Sequence, residues 1–164
     1  MEKRNLTLLT DLYELTMMNG YYLKGKTDEI AVFDVFFRRK ELITYSIAAG
    51  LEQAVDYILG LSFGEEEIAY LRGLNLFDEG FLGYLKNLKF TGDVYSVPEG
   101  TMVFPGEPIL TVKAPVIEAQ LVETAILNII NHQTLIATKS AKVCNAAKGD
   151  NVMEFGLRRA QGPD

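Results

Sequence analysis

The sequence predicts an α/β protein in which an N-terminal α+β region leads into a parallel sheet or barrel, and three observations carry this. A strand signal at EIAVFDVFFRRK is followed by a strand-then-helix unit over LITYSIAAG and LEQAVDYILGL. A proline-rich run, GDVYSVPEGTMVFPGEPILTVKAP, holds four of the five prolines. A long helical tract from Pro115 to Gly149 then precedes the apolar run NVMEFGLRR, and helix followed by strand is the rhythm of parallel α/β folds.

Each element has its own signal. In TDLYELTMMNGYYLKGK, Thr10 or Asp11 serves as N-cap, Glu14 stands three residues after Asp11, and Gly20 and Gly25 offer exits. In the next segment Ala31, Phe33, Val35 and Phe37 alternate with Ile30, Val32, Asp34, Phe36 and Arg38. One face is fully apolar and the other mixed, so a largely buried strand is expected. After Gly50, the residues Leu51, Ala54, Val55, Ile58 and Leu59 recur at helical spacing.

Two further helices are expected around EEEIAYLRGL and DEGFLGYLKNL, whose acidic first turns suit the helix dipole. The proline-rich run reads as short strands joined by tight turns. From Pro115, Ala119, Val122, Ile126 and Ile129 form an apolar stripe with Leu121, Ala125 and Ile130 beside it, which predicts a helix buried over much of its circumference. A second helix is expected around QTLIATKSAKVCNAAKG, with Gly149 as its terminating residue.

Composition narrows the function classes. In 164 residues, 22 acidic side chains face 16 basic ones for a formal charge of -6, which disfavours a phosphate-backbone partner held by bulk electrostatics. Any bound anion must be met locally. The single cysteine, Cys144, excludes an internal disulfide and is expected as a buried small hydrophobe. No apolar run approaches the roughly 20 residues of a membrane span, and the N-terminus lacks the apolar stretch of a signal peptide, so a cytoplasmic protein is expected. Glu65, Glu66 and Glu67 read as a solvated first helical turn, and neither a metal-ligand spacing nor a glycine-rich phosphate loop is present.

In parallel α/β folds the active site lies at the carboxyl ends of strands, where Arg158 and Arg159 would stand. The chain ends one turn later, at Gly162, Pro163 and Asp164. A lone parallel strand cannot satisfy its ladder, so the chain is expected to be part of a longer one.

The stretches LLTDLYELTMMNGYY, FDVFFRR, YSVPEGTMVFPGEPILTV, LVETAILNIINHQTLIATKSAK and, most specifically, EFGLRRAQGPD resemble nicotinate phosphoribosyltransferase almost end to end. The resemblance implies the α+β N-terminal domain of a type II phosphoribosyltransferase, leading into the first strand of an irregular α/β barrel. Residues 1–114 would form that domain, with the turn-rich β segment at 91–114. Residues 115–149 would connect it to the barrel, and 150–164 would begin the barrel.

It also implies the reaction: nicotinate and 5-phosphoribosyl 1-diphosphate give nicotinate mononucleotide and diphosphate, coupled to ATP hydrolysis with Mg2+, in NAD salvage. By the same resemblance, Asp11 and Tyr13 reach across a head-to-tail homodimer into the partner's site. Phe155, Gly156, Arg158 and Arg159 come from the first barrel strand, and Lys139 is a candidate phosphate contact or else an exposed helix lysine. The phosphorylated histidine lies beyond residue 164. His132 is therefore expected to be a packing or capping residue at a helix junction, and the 164 residues alone are expected to be inactive.

These residue types suit the chemistry. Nicotinate is a flat ring bearing a carboxylate; Tyr13 and Phe155 offer aromatic faces. Arginine forks fit carboxylate or phosphate bidentately, with either arginine on the ring carboxylate and the other on a phosphate. Two alternatives stand beside this reading. Nicotinamide phosphoribosyltransferase shares the architecture, but its motifs read more like DSYK and DFGYRG where this chain has DLYE and EFGLRRAQGPD. A biotinyl- or lipoyl-like carrier would suit the hairpins, yet no lysine lies between Pro98 and Val112; Lys113 is the nearest.

Overall fold

A computed structural model describes residues 5–38 and 44–160. The expected turn at Gly162 to Asp164, and Arg39 with the start of the LITYSIAAG strand, lie outside the described residues. The elements in chain order are helix α1 (Leu12–Leu23), strand β1 (Ile30–Val35), strand β2 (Ser46–Ile47), helices α2 (Leu51–Leu59), α3 (Glu65–Gly73) and α4 (Glu79–Lys86), strands β3 (Asp93–Ser96), β4 (Met102–Val103) and β5 (Leu110–Pro115), helix α5 (Val116–Ala146), and a 3-10 turn at Leu157–Arg159. The result is a mixed α+β fold. Its strands form one sheet of order β1-β5-β3 and a small β2-β4 ladder.

Every pairing is antiparallel, so the parallel arrangement expected from the helix-then-strand rhythm is not formed among the described residues. Strand β5 is central, with Phe33 opposite Val112 on one side and Val94 opposite Val112 on the other. The proline-rich segment is thus stitched into the sheet through β1 rather than standing alone as a carrier sandwich. Thr111 Oγ1 donates to Asp34 Oδ1 at 2.5 Å across the β1-β5 pair, a cross-strand contact that favours this register.

The helices form where their termini are satisfied. Asp78 accepts from the N–H groups of Gly80 and Phe81 at the start of α4, and Glu67 reaches back to the Gly64 N–H at the start of α3. Gly50 takes a φ of 102° before α2, a left-handed conformation that favours glycine. There the Gly50 and Leu51 N–H groups both donate to Glu99 Oε1, at 2.6 and 2.7 Å. Met18, Ile68, Leu71, Phe81, Leu82, Leu85, Ile117, Leu121 and Ile126 are fully buried in one core. Each large side chain there contributes about 1.5–3 kcal/mol relative to exposure.

Four expectations are corrected. First, Val116 to Ala146 is one helix of 31 residues, not two. The segment NHQT carries neither glycine nor proline to stop it, and its second half is pinned by hydroxyls. Thr138 Oγ1 accepts from the Ile47 N–H at 2.9 Å, and Thr134 Oγ1 bonds both the N–H and the carbonyl of Ala49. His132 therefore sits mid-helix, half-buried, rather than at a junction.

Second, β1 is an edge strand and is not largely buried. Ala31 and Val35 are partly covered, while Ile30 and Val32, 59% and 58% exposed, face outward. The alternation of faces holds, but no layer among the described residues covers the outer face. Third, Cys144 is exposed, because the last turns of α5 run past the core. Fourth, residues 151–156 form no strand and Leu157–Arg159 is a 3-10 turn. No neighbouring strand is available to complete a ladder there, and no barrel is formed among the described residues.

Candidate functional site

The start of α1, the exit of β1 and one face of α5 enclose an open cavity of about 570 Å³, within the usual range of small-molecule pockets. Asp11 and Tyr13 form one wall, Phe36, Phe37 and Arg38 another, and Glu123, Thr124, Asn128 and Asn131 line the α5 side. A second cavity of about 280 Å³ adjoins it under the sheet, sharing Val35, Glu123 and Leu127.

Asp11 occupies the N-cap position of α1, yet its side chain makes no capping hydrogen bond. Its backbone N–H donates to Thr124 Oγ1 at 3.3 Å, and Thr124 Oγ1 lies 3.2 Å from Asp11 Oδ2. Capping thus does not account for the aspartate, and neither does the expected capping box with Glu14. The Glu14 side chain is instead fully buried. Thr10 Oγ1 donates to Glu14 Oε2, and Thr124 Oγ1 stands 2.8 Å from Glu14 Oε1. Burial pushes the Glu14 carboxyl above the usual carboxylate range, and the charges of Glu123 and Asp11 add to this, against the two threonine hydrogen bonds.

Tyr13 points outward at 54% exposure. Desolvation, and then the negative charges of Glu14, Glu123 and Asp11, hold its phenol above the ordinary tyrosine value. It is therefore a neutral aromatic face near neutral pH. Asn128 and Asn131, one turn apart on α5, make no side-chain hydrogen bond among the described residues, so their amides are free to meet a ligand in the cavity.

Of the residues that the sequence nominates, Asp11 and Tyr13 come together at this cavity, and the rest do not line it. Phe155 is 85% exposed, Arg158 and Arg159 are exposed in the 3-10 turn, and neither arginine makes an ion pair among the described residues. Gly156 precedes that turn, its N–H donating to Glu154 Oε1 at 2.5 Å. Lys139 is exposed on α5. The residues that sequence reasoning missed are Phe36, Arg38, Glu123, Thr124, Asn128 and Asn131. A signal for the last four was present, since positions 123, 124, 128 and 131 form a polar helical stripe beside the apolar one.

The fold is a mixed α+β lobe with an open cavity between α1, the exit of β1 and α5. The chain belongs to the nicotinate phosphoribosyltransferase family: the model of that family's N-terminal domain matches residues 8–131. It is 47% identical over 158 residues to nicotinate phosphoribosyltransferase pncB2 of Mycobacterium tuberculosis, covering 96% of this chain and 34% of that protein. It is 44% identical to the nicotinate phosphoribosyltransferase of Bacillus subtilis over 161 residues, 98% of this chain and 33% of that one. The chain thus spans about a third of the length of these relatives.

Among solved structures, human nicotinic acid phosphoribosyltransferase superposes with a TM-score of 0.86 at 35% identity, over 95% of this chain and 32% of that one. The nicotinate-nucleotide pyrophosphorylase of Pyrococcus furiosus shares the fold, with a TM-score of 0.71 at 21% identity over 96% of this chain and 33% of that one.

Proposed function

We propose that this chain is the N-terminal part of a nicotinate phosphoribosyltransferase that joins nicotinate to 5-phosphoribosyl 1-diphosphate, with ATP hydrolysis, to give nicotinate mononucleotide in NAD salvage. The observation that carries the proposal is the extent of the family match. Residues 8–131 include α1, the exit of β1 and the α5 face, all three walls of the cavity.

In this reading Tyr13 offers a ring face and Asp11 a polar edge. Phe155, Gly156, Arg158 and Arg159, set apart from the cavity in this chain, complete the site in a head-to-tail homodimer: Phe155 supplies the second ring face and the arginines meet the carboxylate and a phosphate. Lys139 meets a second phosphate. The division at 114/115 and 149/150 and a cytoplasmic location belong to the same reading; among the described residues no helix is long and apolar enough to cross a membrane.

Charge develops on the departing diphosphate and on the ribose, so positioning and fixed cations supply most of the rate. Mg2+ belongs with the phosphates of the substrates, as is usual for that ion. Among the described residues no group of three or more His, Cys, Asp or Glu side chains converges to hold it.

The test is direct. The polypeptide containing residues 1–164, purified as encoded, is incubated with 5-phosphoribosyl 1-diphosphate, ATP and Mg2+ and either nicotinate, nicotinamide or quinolinate. Chromatography should show nicotinate mononucleotide and ADP from the first alone; preference for nicotinamide overturns the proposal. Residues 1–164 by themselves should make no product.

A further inference from the structure

We infer that Glu14 is a positioning residue, holding Asp11 and Tyr13 against the cavity through a proton that it donates to Thr124. Thr124 Oγ1 carries one hydrogen, and it is placed between two carboxyl oxygens, Glu14 Oε1 at 2.8 Å and Asp11 Oδ2 at 3.2 Å, while accepting from the Asp11 N–H. A hydroxyl donates only once. With both carboxyls ionised, one oxygen would face the threonine oxygen with no hydrogen between them.

A proton on Glu14 Oε1 removes the conflict. Glu14 then donates to Thr124, Thr124 donates to Asp11, and the Thr10 hydroxyl donates to Glu14 Oε2. Every hydrogen in the set has one acceptor, and Asp11 keeps its negative charge at the cavity wall.

The surroundings favour the neutral acid. Glu14 is fully buried and has no cationic partner among the described residues. The titratable groups that face it are Asp11 and Tyr13, just before it in the chain, Glu123 on α5 and Tyr57 on α2; the carboxylates of Glu123 and Asp11 oppose a second negative charge, and the two tyrosines are neutral phenols that bring no cation. Glu14 lines neither of the two cavities described above. It acts through Thr124, which fastens the first turn of α1 to α5, and so it fixes Asp11 and Tyr13 just before it in the chain.

The inference rests on the reading of Asp11 and Tyr13 as substrate-side residues, and its test separates the two. Carbon-13 carboxyl NMR of the polypeptide as encoded should show Glu14 titrating above the ordinary glutamate range; titration within that range overturns the inference whatever the substrate proves to be. In the functional arm, Glu14→Gln, whose amide donates to Thr124 and whose carbonyl accepts from Thr10, should keep KM for nicotinate within about twofold. Glu14→Leu should raise KM about tenfold with a smaller change in kcat. Equal loss in both variants overturns the inference. Absence of nicotinate turnover in the parent refutes the proposed function and leaves the NMR result to decide Glu14.

Discussion

Gly92 runs against Ala114 so closely that a β-carbon on the glycine would stand 2.3 Å from the Ala114 Cβ and 2.5 Å from the Lys113 carbonyl oxygen. The contact seats β3 on the central strand, since Asp93 is paired with Lys113 immediately after it. Backbone cannot move aside as a flexible side chain can. Gly92→Ala should therefore cost about 1–3 kcal/mol, the usual penalty of overpacking, read as a lower urea midpoint with unchanged slope.

Glu118 closes the other end of the same corner. Nearly buried, it accepts from the Thr91 N–H at 2.6 Å and from Thr91 Oγ1 at 3.0 Å. Glu118→Ala strands a backbone donor, a loss of about 1–3 kcal/mol. Thr91→Ser, which keeps both donors, should cost much less in the same denaturation measurement.

Tyr57 offers the opposite case. Its hydroxyl is buried with no hydrogen-bond partner among the described residues, and burial, with the nearby charge of Glu14, pushes its phenol far up. Tyr57→Phe removes an unsatisfied group and nothing else. Stability should hold or rise by up to about 1 kcal/mol, and a loss of that size would show that the hydroxyl is bonded after all.

The acid side chains divide by sign in their pH dependence. The hydrogen bonds from Lys86 and Arg72 hold Glu65 and Glu79 below the ordinary glutamate value. What these pairs add is present above the unfolded-state value and fades as pH falls through the folded one. Both pairs are exposed, so this contribution is small and salt-sensitive. Glu14 is raised by burial, so its contribution is present below the unfolded-state value and fades as pH rises through the folded one. Unfolding of Glu14→Gln across a pH series should lose that falling limb; a slope identical to the parent's would contradict the protonated Glu14.

Tyr13 has a functional prediction of its own. If its face stacks on the pyridine ring, Tyr13→Phe keeps KM for nicotinate, and Tyr13→Ala raises it about tenfold, in line with roughly 0.5–1.5 kcal/mol for an aromatic pair plus lost area. Steady-state kinetics on the polypeptide as encoded distinguishes the two.

Local elements were the legible part of this fold. Helices α1 to α4 and the alternation along β1 follow from spacing and turn residues, although the cap expected from Asp11 and Glu14 at the start of α1 does not form. What escaped depends on partners distant in sequence. The extent of α5 through His132 is set by Thr134 and Thr138 meeting residues near 47–49, and the strand expected at 151–159 has no neighbour to pair with among the described residues. The outer face of β1 and Cys144 looked buried because apolar character reports what a residue tolerates, not what covers it. Of the residues that line the cavity, Asp11 and Tyr13 stand in a motif visible in the sequence, whereas Glu123, Thr124, Asn128 and Asn131 were masked by the stronger apolar stripe on the same helix.

The unbroken run of α5 carries a consequence for which changes in length the chain can accept. At 1.5 Å per residue the 31-residue helix is about 46 Å long, and successive stretches have different tasks: Glu123, Thr124, Leu127, Asn128 and Asn131 line the cavity, and Thr134 and Thr138 hold the Ala49 and Ile47 N–H groups ahead of α2. Deleting or inserting one residue between them would rotate one set by about 100° relative to the other. Insertions should therefore be accepted in the loops between α2, α3 and α4 and rejected at residues 131–134.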